Sequence, residues 1–383
     1  MKQIFAVCII VLVAGLVLGW SVSAWAVLRV TTGMHVHWVR DDLKQDTQGT
    51  EIIIPLFLRY NIGRHISISL DTGYADAQVR YPNADDVKLA HLTDALLNVE
   101  YAVPGLPFNL SAGLTVNLPV GKERLSPDER RATLGENNDL FGVEQFGEGL
   151  NVGLSLVAVQ VFDTFGLGLS GAYVTKGSYD VTQEIADDTF EPGDQFMLAG
   201  MLLWQPSETT HLSGMVAYSG FGVDRVNGEK DFQEGAGLGL SGELTYRYGA
   251  VDLSVAQQVV LPGKQREHID GSLREEADNS VGITLKTSVG VSYSATAAVT
   301  VGLLGDVTYY GESERRYSEN DLLYAGQRLR STLGGELEVK VMRGLTWNNM
   351  ARYLLMREAE DLHNDEDRNF EGLHLSSEIT YVF

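Results

Sequence analysis

Three histidines stand where their side chains could meet. His35 and His37 are two residues apart, a spacing that sets both on one face of a strand, and His374 lies close to the C-terminal Phe383. If the first and last strands pair antiparallel with Leu28 opposite Phe383, His37 falls opposite His374. Three imidazole nitrogens can hold Zn²⁺ or Cu²⁺ with water in an open position, so His35, His37 and His374 are the candidate metal ligands. The plainer alternative is three polar side chains lining a wet interior, since a slip of two residues in the pairing would carry the third ring away.

Other groupings offer less chemistry. His65-Ile66-Ser67 and His211-Leu212-Ser213 each put a base and a hydroxyl on one strand face, yet no partner acid is indicated for either, and no enzyme is expected. Asp365, Asp367 and Asn369 begin with the spacing of a calcium loop, but Phe370 stands where that loop needs glycine, so the match fails. No cofactor is expected.

The elements that would carry these residues are strands. In Ser280 to Ser294, SVGITLKTSVGVSYS, Val281, Ile283, Leu285, Thr287, Val289, Val291 and Tyr293 form one row, and Gly282, Thr284, Lys286, Ser288, Gly290 and Ser292 fall on the other. That is the period of a strand with one apolar and one wet face. The pattern recurs in 65–74, in 108–120 and in 329–341, where the second row holds Arg330, Glu336, Glu338 and Lys340. A row so charged cannot be a protein core, whereas a wall with lipid on one side and water on the other accommodates it.

About sixteen such segments can be placed, with twelve to eighteen compatible, and short connections alternate with long ones. The short ones fall at 61–64, 104–107, 163–164, 206–208, 248–249, 295–298 and 343–344. The long ones run over 41–50, 81–91, 121–147, 181–193, 225–233, 263–279, 313–327 and 358–369, and carry roughly −17 of the net charge. Tyr60, Tyr101, Trp204, Tyr248, Tyr293, Trp347 and Phe383 border the short turns, where a barrel wall meets headgroups. The expectation is an all-β chain, a transmembrane up-and-down antiparallel β-barrel.

The ends and the composition agree. Residues 1–26 read as a signal peptide, with Lys2, an apolar run from Ile4 to Gly19 and the Ala24-Trp25-Ala26 cleavage pattern. The barrel then occupies 27–383, and the single cysteine, Cys8, leaves with the leader. Acidic residues number 51 against 29 basic, a formal charge of −22, which excludes nucleic acid as a partner. Expected partners are outer-membrane lipid and lipopolysaccharide, a small-molecule solute, and the barrel assembly machinery acting on terminal Phe383. The expected location is the outer membrane of a Gram-negative cell.

Ile54-Pro55-Leu56-Phe57-Leu58-Arg59-Tyr60-Asn61-Ile62-Gly63-Arg64, followed by the strand from His65 and by Leu118-Pro119-Val120-Gly121-Lys122, resembles the outer-membrane transporters grouped with the phenol-degradation pathway. Those are similar in turn to the long-chain fatty-acid channels. The resemblance implies passage of small, often apolar or aromatic compounds. Fatty-acid channels place a plug before the first strand; here Leu28-Arg29-Val30 already begins one, which puts a ligand-gated hatch in doubt.

The lumen-lining candidates are Arg29, Arg59, Asp71, Glu100, Glu243, Arg247, Lys286, Arg330, Glu336, Glu338, Lys340, Arg352 and Glu378, with Asp94, Asp252 and Asp306 in the same rows. Charges of both signs fit a water-filled channel. The alternative is a plugged or structural barrel in which these groups pair across the lumen and 121–147 folds inward as a constriction or stopper, and a barrel-embedded hydrolase comes after that.

Overall fold

Alternating side chains make the wall. The computed structural model describes residues 26–41, 47–82, 84–132, 146–180, 189–269, 271–276, 279–316, 322–325, 327–359 and 367–383. The signal-peptide expectation lies outside them, as does most of the acidic run containing Asp365.

The wall strands are β1 (Ala26–Asp41), β2 (Thr47–Ile62), β3 (Ile66–Arg80), β4 (Val87–Leu92 continued by Ala95–Val103), β5 (Asn109–Leu118), β6 (Asn151–Val161), β7 (Phe165–Thr175), β8 (Gln195–Ser207), β9 (Thr210–Phe221), β10 (Gly237–Tyr248), β11 (Val251–Pro262), β12 (Thr284–Ser294), β13 (Val299–Tyr310), β14 (Arg328–Met342), β15 (Leu345–Glu358) and β16 (Arg368–Val382). Each pairs antiparallel with the next, and β16 pairs back onto β1. The result is a closed barrel of 16 strands, which has no free edge and satisfies the wall's backbone hydrogen bonds internally.

The outer face is a lipid face. Leu154, Leu169, Leu303 and Leu333 are between 64% and 72% exposed, far beyond what a water-soluble surface tolerates over so many strands. Tyr60, Tyr101, Trp204, Tyr248, Tyr293 and Trp347 lie on this outward row beside the short turns, and Trp38, Tyr74, Tyr173, Tyr218, Tyr309 and Tyr353 lie on it toward the long connections. Two aromatic girdles therefore bound the apolar band.

Three features depart from the sequence expectation. The wall runs further than the apolar band: β1 reaches Asp41, β2 begins at Thr47 and β4 begins at Val87, inside stretches assigned to connections. The strands continue because their inner faces have something to pack on. Val39, Met356 and Phe370 form one buried inner cluster, and Ala75, Ala77, Val79, Val87 and Leu89 form another with Ala132 and Phe146. Second, β4 is interrupted at Thr93–Asp94, and the one extra residue it gains there against β3 switches the inward row from Val87 and Leu89 to Asn98 and Glu100. Third, a short helix spans Pro127–Ala132 where no capped helix was expected.

The connections after β7, β9 and β11 also pair with one another. Tyr179–Asp180, Thr189–Glu191, Asp224–Val226, Glu229–Gln233, Arg266–Ile269 and Ser272–Glu275 build a 6-stranded antiparallel sheet beyond the barrel.

Candidate functional site: the lumen wall

Directly opposed residues in antiparallel strands share a face, so the register fixes which side chains look inward. His35 hydrogen-bonds Glu378, and from this pair the inward row can be followed strand by strand around the wall. Arg29, Arg59, Asp71, Glu100, Glu243, Arg247, Lys286, Arg330, Glu336, Glu338, Lys340, Arg352 and Glu378 all fall on it.

Their pairing is local. Arg247 and Asp252 meet between β10 and β11 at 2.6 Å, Arg59 donates to Ser67 at 2.9 Å, and Asp306 accepts from Thr332 at 2.6 Å. At the long-loop end Arg368 reaches Asp41 at 2.7 Å and Glu358 at 3.4 Å across the three strands nearest the seam. The ion pairs seen along the inward row of the wall strands join groups on one strand or on adjoining strands.

The two sides of the lumen differ. From β5 to β9 the inward row contains no Asp, Glu, Lys or Arg; it is Gly, Ser, Ala, Val157, Val159, Met197, Met201, Leu203 and Met215 with a few polar residues. On the other side Lys286, Arg330, Arg352, His37 and His374 border one recess of about 180 Å³, together with Asp306 and Thr332. A basic patch thus sits inside a strongly acidic protein.

The described ends of the segment between β5 and β6, up to Ala132 and from Phe146, reach the inner wall. Ala132 and Phe146 are 0% and 1% exposed because they pack on the inward side chains of β3 and β4. Its two stems are gripped at the break in β4. Asp94 Oδ1 accepts from the Gly121 amide at 2.8 Å, its Oδ2 accepts from the Glu148 amide and from Asn117 Nδ2, each at 2.7 Å, and its own amide donates to the Phe146 carbonyl at 3.0 Å. A carboxylate taking several N–H donors is a strong anchor. The stems cross so closely that a Cβ on Gly121 would stand 1.8 Å from the Phe146 carbonyl oxygen, so only glycine fits there.

The helix in this segment starts on a reciprocal cap: Ser126 Oγ accepts from the Glu129 amide at 3.3 Å, and Glu129 Oε2 accepts from the Ser126 amide at 2.9 Å, with Pro127 in the first helical position. Burial opposes ionisation of Glu129, but its bond to Lys122 and those to Ser126 outweigh it and hold the carboxyl below its ordinary value. Ser126-Pro127-Asp128-Glu129 is a capping signal that could have announced this helix and was missed. Asp94's grip had none, because its partners are distant in the chain.

At the seam the register places His37 opposite His374. Their rings stack with centroids 4.0 Å apart, and His35 lies 5.8 Å from His374. One nitrogen from each ring lies within 4.8 Å of the others. Glu51, inward and 1% exposed, stands directly opposite His37. Elsewhere, His211 and Ser213 border a recess at the short-turn rim with Glu243, which is opposite Ser213. Among the described residues no hydrogen bond links His211 to Ser213 or Ser213 to Glu243, so the three are neighbours without the contacts of a nucleophile relay.

No protein-family model matches the chain, and no curated protein matches its sequence. Solved structures do. An outer-membrane channel from Pseudomonas putida F1 is 11% identical over 95% of this chain and 97% of its own, with a TM-score of 0.39. A Pseudomonas aeruginosa homologue of FadL is 9% identical, covering 94% and 90%, with a TM-score of 0.42. The CymD monoaromatic hydrocarbon channel is 12% identical, covering 93% and 88%, with a TM-score of 0.44. At these values the likeness supplies no residue-by-residue correspondence.

Proposed function

We propose that the chain is an outer-membrane channel that passes small molecules through its lumen, narrowed by the inward segment between β5 and β6. The observation that carries this reading is the combination of an apolar outer face with an inner face that carries charges of both signs, several of them paired locally between neighbouring strands. Such charges are tolerable only beside water, and barrels of this strand number enclose an aqueous passage. The uncharged wall from β5 to β9 with Met197, Met201 and Met215 suits solutes with an apolar or aromatic portion, since methionine adapts to varied apolar shapes.

On the same reading, residues 1–26 direct export across the inner membrane of a Gram-negative cell, Phe383 is the terminal aromatic that the assembly machinery reads, and lipid and lipopolysaccharide surround the wall. Planar-bilayer recording of the purified barrel tests the channel. Discrete, ohmic conductance steps are expected, together with faster vesicle swelling in aromatic acids than in sugars of equal mass. A plugged barrel is the second reading, favoured by the packing of Phe146 against β3 and β4. A silent bilayer that opens only when this segment is removed would select it.

A further inference from the structure

We propose that His35, His37 and His374 form a binding site for a divalent transition-metal ion, of which zinc and copper are the representatives, set in the inner wall at the seam that closes the barrel. The inference stands apart from transport and rests on the seam alone. β1 carries His35 and His37 on one face, and the pairing of β1 with β16 delivers His374 to the same face from the far end of the chain. The three ligand nitrogens lie within 4.8 Å of one another. Zinc–nitrogen bonds of about 2.0–2.1 Å at tetrahedral angles set ligand nitrogens roughly 3.3 Å apart. The rings need to close by no more than about 1.5 Å, within the reach of side-chain torsions and without displacing either strand. Closing unstacks His37 from His374, whose rings now lie at 16° to each other.

Two further observations point to a ligand rather than to packing. His374 Nε2 is shut away from solvent and has no hydrogen-bond partner, a condition that buried ring nitrogens in folded proteins rarely keep. His35 Nε2 meets Glu378 Oε1 at 2.7 Å. With Nε2 donating to the carboxylate, Nδ1 of His35 keeps its lone pair for a metal, and this carboxylate–imidazole arrangement is the one that orients metal-bound histidines.

The surroundings of the three rings carry charges of both signs. Arg352 stands opposite His374, while Glu51 stands opposite His37 and Glu378 is bonded to His35. Lys286, Arg330 and Asp306 border the same recess as His37 and His374, so three cations stand against three carboxylates and the surroundings of the rings carry no net charge. Imidazole ligation suits zinc, copper and nickel and is a poor match for magnesium or calcium. Because the ligands come from the first and last strands, an occupied site would staple the closure of the barrel.

The test uses the folded full-length barrel in detergent, free of any polyhistidine tag, titrated calorimetrically with zinc chloride and separately with copper sulfate. Variants are His374→Gln, His35→Gln and His37→Gln, with His268→Gln, exposed in the outer sheet, as the control. Heat-modifiable gel mobility identifies folded protein, and only folded variants are compared. One ion per chain is expected for the parent and for His268→Gln, weakened at least about tenfold by any of the three seam substitutions. The ion should also raise the temperature at which the parent loses its folded mobility, and leave His374→Gln unshifted. Absence of binding to the parent at about 100 µM metal, or equal binding by the parent and every folded seam variant, overturns the proposal. Neither result bears on conductance, so the channel reading stands or falls separately.

Discussion

Replacing Phe146 with alanine should release the inward segment and widen the passage. The ring is 1% exposed and packs with Ala75, Ala77, Val79, Val87, Leu89 and Ala132. Truncating a phenylalanine buried to this degree costs about 3–5 kcal/mol. At about 1.4 kcal/mol per decade, that shifts the docked-to-released equilibrium of the segment by two to three and a half decades. The barrel itself should be spared, because the strand ladders of β3 and β4 do not involve Phe146. Two measurements read the release. Single-channel conductance should rise or become noisy, and a thiol placed by Ala75→Cys, at a position 0% exposed beneath the segment, should change from unreactive to reactive toward a membrane-impermeant reagent. Cys8 is the only cysteine in the sequence, and Cys8→Ser in the same background leaves the introduced thiol alone. If Phe146→Ala folds yet leaves both the conductance and the Ala75→Cys labelling at parent levels, the segment is not held by this packing and the constriction reading is wrong.

Acid should loosen the same segment. Glu129 has its carboxyl held below the ordinary 4.5; its contribution is therefore complete above about that pH and is lost as pH falls through the lowered value, so conductance should rise on acidification through that lowered value in the parent and less in Glu129→Gln. In the wall, Leu285→Arg should cost about 2–4 kcal/mol in urea unfolding from lipid vesicles and Ser288→Arg little, because Leu285 faces outward and Ser288 inward; equal costs would refute the register. Reversing charge in the basic recess with Lys286→Glu and Arg352→Glu should move the reversal potential under a salt gradient toward cation preference, and an unchanged potential would place the ion path away from that wall.

Much of this arrangement was legible in the chain. The strand count follows from alternation between lipid and water, which writes a period of two into nearly every wall segment. The seam register follows from aligning Leu28 with Phe383, and the Phe383 amide does donate to the Leu28 carbonyl at 2.9 Å. What alternation could not show is how far strands extend past the lipid. There the outward row turns charged, with Asp76 paired to Lys88 at 2.8 Å, while Ala75, Ala77 and Val79 stay apolar inward, so the pattern inverts its meaning. The Thr93–Asp94 interruption hid for a related reason, since a shift of row reads as a loop. Asp94's grip joins residues well separated in sequence, and the pairing of Phe232 with Glu267 joins two connections too short to carry a period of their own. Contacts of this kind are written in three dimensions only.

The sheet built from the connections after β7, β9 and β11 has a consequence for how this protein can vary. Surface connections ordinarily accept insertions one at a time. Here Phe190 faces Val226, Phe232 faces Glu267, and Arg124 from the inward segment bonds Asp180 at the sheet's end. Lengthening one of these connections strips a partner from the next, so substitutions that preserve the pairing are admissible and changes of length are not, unless they come together. An antibody or phage that recognises this rim would meet a surface composed of three connections at once. Escape by remodelling any one of them would disturb the other two.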